Sequence, residues 1–188
     1  LAWDQRIPLA ISNVVPGMGV LRYLDAGIQP TVRDLCVLMT IISDNTATNM
    51  LIDLLGIDAI NQRIQALGMT HTRLNRKVFS PTARDVVHLL TAIATGALGA
   101  PDTNAFLNQT LAQQLDRVGF PRGLPAGWSY AGKTGSDDDL RNDCGILTRP
   151  DGSRVVAACF AQDMAEHAGG INHPGLIALG EVARIMSQ

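Results

Sequence analysis

Apolar residues recur at helical spacing through most of the first two thirds of the chain, and the pattern changes near Gly119. Thr31-Val-Arg-Asp34 reads as a capping box and predicts a helix through about Ile42, with Leu35, Leu38, Met39 and Ile42 on one face. A second helix is expected over about 46–55, with a stripe of Ala47, Met50, Leu51, Leu54 and Leu55 and a stop at Gly56. A third starts after Asp58, buries Ile60, Ile64 and Leu67, and stops at Gly68. A fourth opens at Ser80-Pro-Thr-Ala-Arg-Asp85, where Pro81 suits a first turn and Thr82 with Asp85 can cap it. Val86, Leu89, Leu90 and Ile93 carry its apolar face as far as Gly96, and a fifth helix is expected over 104–115. Residues 1–30 are irregular, punctuated by Pro8, Pro16, Gly17, Gly19, Gly27 and Pro30.

After Gly119 the period shortens. Pro121, Gly123, Pro125 and Gly127 mark a loop, and 128–135 has the aromatic and small residues of a strand. Segments 144–149 and 154–161 bracket Pro150-Asp-Gly-Ser153 as an antiparallel hairpin. Ile146, Leu147, Val155, Val156, Ala157 and Ala158 make both of its faces apolar, so both should be covered. A closing helix over 175–186 offers Leu176, Leu179, Val182, Ala183 and Met186 for one face. The expectation is an α+β chain forming one structural unit. Its lobes are mostly helical over 1–118 and a sheet lobe over 119–188, with an antiparallel sheet flanked by helices.

Composition sharpens this picture by exclusion. The 188 residues are 46% hydrophobic and 17% charged, which suits a packed core. A net charge of −2 argues against a nucleic-acid or membrane-surface partner. The apolar runs are too short to span a bilayer. Of three cysteines, Cys36 belongs to a helical stripe. With Asp151-Gly152 as a two-residue turn, Cys144 falls opposite Cys159, as two buried thiols side by side or as a disulfide.

The first chemical signal is ambiguous. Gly127-Trp-Ser-Tyr-Ala-Gly-Lys-Thr134 matches a phosphate-binding loop, whose lysine and threonine must open a helix after a strand. Here the prolines and glycine of 120–126 leave no strand upstream, and 135–143, which follows directly, has no helical stripe. Asp137, Asp138 and Asp139 would also repel a phosphate. Nucleotide binding is thus a weak alternative, and Ser129 as a nucleophile elbow fails for want of the same strand–turn–helix context.

Lys133-Thr-Gly-Ser136 gains meaning from Ser43-Asp-Asn45, placed between the first two predicted helices. Alone, those three residues are good helix caps. Together with "NTATNMLIDLLG" after the tripeptide and "ALGMTHTRLNR" beyond the next helix, they make the chain resemble the class A β-lactamases and their penicillin-binding relatives over essentially its whole length. The resemblance implies the β-lactamase/transpeptidase-like fold, with helical and sheet lobes meeting at a cleft. It implies catalytic roles for Ser43, Lys133 and Ser136: Ser43 relays a proton to the departing nitrogen, Lys133 supplies charge, and the Ser136 N–H forms half an oxyanion hole. Asn45 would orient the substrate's acyl amide, Thr134 and Ser136 would bond its carboxylate, and Gly135 would leave room along the strand edge. Asp44 would be structural, buried and hydrogen-bonded, and Arg141 would offset the nearby aspartates and help hold the carboxylate.

The chain departs from that family at two points. No serine has a lysine three places on, so the Ser-x-x-Lys nucleophile is absent, and its expected place lies before Leu1. The expectation is a C-terminal portion without the first sheet strands and the nucleophile helix, inactive alone, with the missing N-terminal segment as a partner. The only glutamates are Glu166 and Glu181, both after Lys133, so the deacylating glutamate between the motifs is missing. The segment 76–80 is also short where its loop should lie, and Asp85 or Asp102 would substitute less well than they start helices. His167 and His173 near Asp163 and Glu166 lack ligand spacing and are expected at the surface, so no metal or cofactor is implied. The function implied is hydrolysis of β-lactam amides through an acyl-enzyme, in the periplasm or secreted. Alternatives are a D-alanyl-D-alanine peptidase or other acyl hydrolase acting on D-alanyl peptides, and a non-catalytic cell-wall-peptide binding module.

Overall fold

A computed structural model describes residues 1–75, 77–164 and 170–188. Arg76, Glu166 and His167, weighed above, lie outside the described residues. The chain divides into two compact units, Leu1–Pro81 and Thr82–Gln188.

The first unit contains α1 (Val32–Ile41), α2 (Asn45–Leu55), α3 (Ile57–Ala66) and a small hairpin of β1 (Arg73–Asn75) and β2 (Val78–Ser80). Thr31 caps α1 through the expected box: its hydroxyl accepts from the Asp34 N–H at 3.0 Å while the Asp34 carboxylate accepts from the Thr31 N–H at 2.9 Å. Gly56, at φ +79°, ends α2 and also opens α3, which therefore starts at Ile57, ahead of the expected start. The irregular first thirty residues are tied down by backbone bonds. Ile7 donates to Pro30 O and Leu9 to Ile28 O, each at 2.9 Å, and Val32 donates to Gln5 O at 2.9 Å. Leu9, held by these bonds, packs in one core with Leu21, Leu35, Ala47, Met50 and Leu51. The two three-residue strands have no alternation long enough to show in sequence.

The second unit contains α4 (Ala83–Thr95), α5 (Pro101–Ala112), β3 (Ser129–Asp137), β4 (Leu140–Thr148), β5 (Arg154–Ala161) and α6 (Pro174–Met186). Helix α5 begins three residues earlier than expected because Pro101 takes the first helical position, where its missing N–H costs nothing. The strands form an antiparallel sheet in the order β3-β4-β5. Tyr130, Leu147 and Ala157 face Leu176, Leu179 and Ala183 of α6, with Phe120 filling the same layer. Ile146 faces the other way, onto Leu90 and Ile93 of α4 and Leu111 of α5. Both faces are covered, as apolar alternation on both sides requires. The three-stranded sheet lies wholly after the expected boundary at 118/119, and α4 and α5 belong to the same compact unit because they pack on that sheet.

The β4–β5 register corrects the cysteine expectation. Arg149 and Ser153 close a three-residue turn, with Gly152 at φ +85° and its N–H on Arg149 O at 2.9 Å. One residue more than the two-residue turn assumed from sequence shifts every pair: Cys144 lies opposite Ala158, and Cys159 opposite Asp143. Successive side chains alternate, so Cys144 and Cys159 point to opposite faces of the sheet and are not bonded.

The short 3-10 turn Phe120–Gly123 packs on α6 by backbone contact. A Cβ at Gly123 would lie 1.8 Å from the carbonyl oxygen of Gly180, and nothing flexible can move aside. Gly123→Ala should therefore cost about 2–3 kcal/mol in urea unfolding. Gly99→Ala, which meets nothing within 4 Å, should stay within about 0.5 kcal/mol of the wild type.

Candidate functional site

The predicted site residues fall into two groups, one in each unit. Ser43, Asp44 and Asn45 form the turn between α1 and α2. Ser43 adopts φ +55°, a left-handed conformation that costs a non-glycine residue about 1 kcal/mol. Asp44 caps α2 and is fully buried. One carboxylate oxygen accepts from the Ala47 N–H at 2.9 Å; the other accepts from the N–H groups of Val20 and Leu21 at 2.7 and 2.9 Å. Asn45 is exposed at the first helical position; its backbone N–H bonds Met18 O at 3.0 Å and its side-chain nitrogen bonds Pro16 O at 3.1 Å.

The loop that holds this turn contains residues that motif reasoning overlooked. A Cβ on Gly19 would lie 2.3 Å from the Asp44 carboxyl carbon and 2.6 Å from its Cα; one on Gly17 would lie 2.2 Å from the Asn45 side-chain nitrogen. Both glycines also have positive φ, +105° at Gly17 and +112° at Gly19. The visible signal was Pro16-Gly-Met-Gly19, taken only as punctuation.

The second group lies along β3. Lys133, Thr134, Gly135 and Ser136 pair in register with Cys144, Asp143, Asn142 and Arg141 of β4. This placement overturns the phosphate-loop alternative: Lys133 and Thr134 sit inside a nine-residue strand and open no helix. Lys133 Nζ reaches Thr134 O at 2.6 Å, and burial holds its ammonium below the usual lysine value. A Cβ at Gly135 would make only ordinary contact with Asn142, at 3.6 Å, so the described chain itself does not demand glycine there. Arg141 donates from one nitrogen to the carbonyls of Asp137 and Leu140, clamping the two-residue turn of Asp138 and Asp139. Both turn aspartates and Asp137 at the end of β3 are exposed to solvent.

Beneath this strand lies a buried pair that the sequence did not reveal. Tyr130 donates its hydroxyl to one oxygen of Asp143 at 2.6 Å, and the Phe120 N–H donates to the other at 2.7 Å. The Tyr130 ring reaches Asp143 across Gly132 and Gly145, where a Cβ would lie 2.4 and 2.8 Å from ring atoms. Burial raises the Asp143 pKa to about 6, outweighing the hydrogen bonds, which pull it down, and burial next to that carboxylate raises the Tyr130 phenol as well.

Other candidates have structural duties. Asp85 is buried in the first turn of α4, its N–H on the Thr82 hydroxyl at 3.2 Å, and Asp102 lies in the first turn of α5. His173 was expected at the surface but is buried at 1% exposure, where its Nδ1 accepts from the Gly175 N–H at 3.0 Å and caps α6. Among the described residues no three His, Cys, Asp or Glu side chains gather as a metal site, and no helix is long and apolar enough to cross a membrane.

The chain thus carries a Ser-Asp-Asn turn at a helix start and a Lys-Thr-Gly-Ser edge strand within an α+β fold. The model of the β-lactamase enzyme family matches residues 1–188, and the chain belongs to that family. A β-lactamase of Streptomyces cellulosae is 33% identical over 150 residues, covering 71% of this chain and 48% of the relative. The chain spans about half the length of the curated relatives it matches. A β-lactamase structure from Sphaerobacter thermophilus superposes with a TM-score of 0.89 at 33% identity, covering 99% of this chain and 73% of that one. A variant of PBP-A, solved as an acyl-enzyme with penicillin G, gives a TM-score of 0.90 at 28% identity, covering 100% and 72%.

Two stability measurements test this description. Gly19→Ala presses on Asp44 backbone and carboxylate and should cost about 3 kcal/mol, whereas Gly17→Ala meets only the end of a side chain, should cost about 1–2 kcal/mol and should shift the Asn45 side-chain amide resonances. The second concerns Asp143, whose folded pKa of about 6 exceeds its ordinary value of 3.8. The folded state then binds the proton more tightly, so its contribution is greatest at low pH and is lost as pH rises from about 4 to about 6. The difference in unfolding free energy between wild type and Asp143→Asn should fall over that window by up to about 3 kcal/mol.

Proposed function

We propose that this chain is part of a serine hydrolase that opens β-lactam amide bonds through an acyl-enzyme. The observation that carries the reading is the pair of motifs in folded form, a capped Ser-Asp-Asn turn and a Lys-Thr-Gly-Ser edge strand, in a chain matched end to end by the β-lactamase family model. Capture of a PBP-A variant as a penicillin G acyl-enzyme supports the chemistry, as does the β-lactamase function of the Streptomyces relative.

In this reading the nucleophile belongs to a Ser-x-x-Lys segment outside these 188 residues. Its hydroxyl adds to the lactam carbonyl, the carbon–nitrogen bond breaks, and Ser43 passes a proton to the departing nitrogen; water then cleaves the ester. Lys133 lends positive charge to the substrate carboxylate, and Thr134 and Ser136 hydrogen-bond it. The Ser136 N–H serves the oxyanion. Asn45 aligns the acyl amide, and Asp44 holds the turn. Gly135 leaves the strand edge open to substrate, the one use of a glycine that its own surroundings do not require. Arg141, clamped on the turn carbonyls, offsets the aspartate charge near the arriving anion. Substrates of this kind place the enzyme outside the cytoplasmic membrane.

A second reading, a D-alanyl-peptide acyl hydrolase that deacylates slowly, is favoured by the lack of any glutamate between the motifs. The protein that includes the gene's residues upstream of Leu1 should gain one benzylpenicillin by intact-mass measurement, and Lys133→Ala should slow that acylation about 100-fold. Rapid loss of the adduct selects the lactamase; an adduct lasting hours selects the peptidase; absence of any adduct rejects both. Nitrocefin turnover by the 188-residue chain alone would also reject the assignment. Because burial depresses the Lys133 pKa, the alkaline limb of acylation should begin below 10.5, and Lys133→Arg should move it upward.

A further inference from the structure

The first unit holds a cavity of about 400 Å³ whose wall includes Asn45, Asn49, Ile52 and Lys77. Val15 and Pro16 supply more of its apolar lining, and the Thr48 side chain, committed to Asp44 O at 2.9 Å, completes it. The side-chain nitrogen of Asn45 is engaged by Pro16 O at 3.1 Å and that of Asn49 by Asn13 O at 3.4 Å, so both amides are held with their oxygens available to accept. Lys77 supplies the cavity's positive charge. It is one of only two lysines in the chain and stands in the β1–β2 turn at φ +65°, a conformation that costs a non-glycine residue and fixes where its side chain leaves the backbone.

Asp53, which does not line the cavity, pairs with Lys77 at 2.6 Å, but both side chains are substantially exposed, at 37% for the lysine and 47% for the aspartate. A pair so wet contributes little net free energy, and an ammonium has three donors, so a second carboxylate can share or replace Asp53. Mixed apolar lining, fixed amides and one cation suit a ligand with an apolar stem, an amide and a carboxylate.

We propose that this cavity is a specificity subsite for anionic acyl side chains, in which Asn45 meets the acyl amide and Lys77 pairs with a carboxylate carried on the same side chain. The inference rests on the acyl-amide role proposed for Asn45. The test is titration of the isotopically labelled 188-residue chain, followed by NMR, with benzylpenicillin and with carbenicillin, the same penicillin bearing an added side-chain carboxylate. Carbenicillin should bind about five- to tenfold more tightly and shift the resonances of Asn45, Asn49 and Lys77. Lys77→Met should bring the two dissociation constants within twofold of each other. Asp53→Asn, which removes the competing carboxylate, should widen the gap and keeps the test decisive if the first variant folds poorly. Equal binding of the two penicillins to the wild type, or a preference that survives Lys77→Met, overturns the subsite while leaving β-lactam recognition in place. Failure of both penicillins to bind overturns β-lactam recognition by this chain and the subsite with it.

Discussion

A carboxylate taken out of water must find donors, and each unit of this protein is organised around one that does. Stripped of partners, either would cost several kcal/mol. Asp44 recruits three backbone N–H groups from two segments far apart in sequence, and in doing so joins the 13–21 loop to the start of α2. Asp143 recruits a phenol and a backbone N–H, and so joins the Phe120–Gly123 turn to the middle of the sheet. The glycines follow from the aspartates: Gly17, Gly19, Gly119, Gly132 and Gly145 stand where any Cβ would intrude on these carboxylates, on the residue next to one, or on the ring that serves one. The motif residues with chemical promise are neighbours of these anchors and take their position from them.

That arrangement explains how the motif residues are held. Ser43 precedes the anchored Asp44 and Asn45 follows it, so both side chains are presented from a turn whose geometry is settled elsewhere. On β3, Thr134 lies directly opposite Asp143, and Lys133 and Gly135 flank it on a strand held by a full ladder to β4. Groups set on a capped helix start and on a fully paired strand lose little order when a substrate arrives.

Much of this was legible in the sequence, for identifiable reasons. Long helices with clear stripes and caps, such as α1 and α4, were placed within a residue or two, because local periodicity and capping agree there. Boundaries slipped where a single residue overrides the stripe, at Gly56 and Pro101. The β4–β5 register slipped because Pro-Asp-Gly-Ser permits two turn lengths, and only the ladder decides between them. Ser43, Asp44, Asn45 and Lys133 stood out because each belongs to a short motif. Asp143, Tyr130 and the glycines around them did not, since their partnership spans separate strands and leaves no local pattern. Lys77 was hidden for a similar reason: a lone lysine gives no hint of a cavity built largely from residues 15–52.

The one-residue difference in that turn also bears on how the protein is made. A sheet stands between the thiols of Cys144 and Cys159, and burial raises both thiols above their ordinary values, so each is a poor nucleophile toward oxidants. Oxidation cannot join them without dismantling the hairpin. The covalent structure of this hairpin is thus the same in a reducing cytoplasm and in an oxidising periplasm, and its folding needs neither a disulfide catalyst nor protection from one.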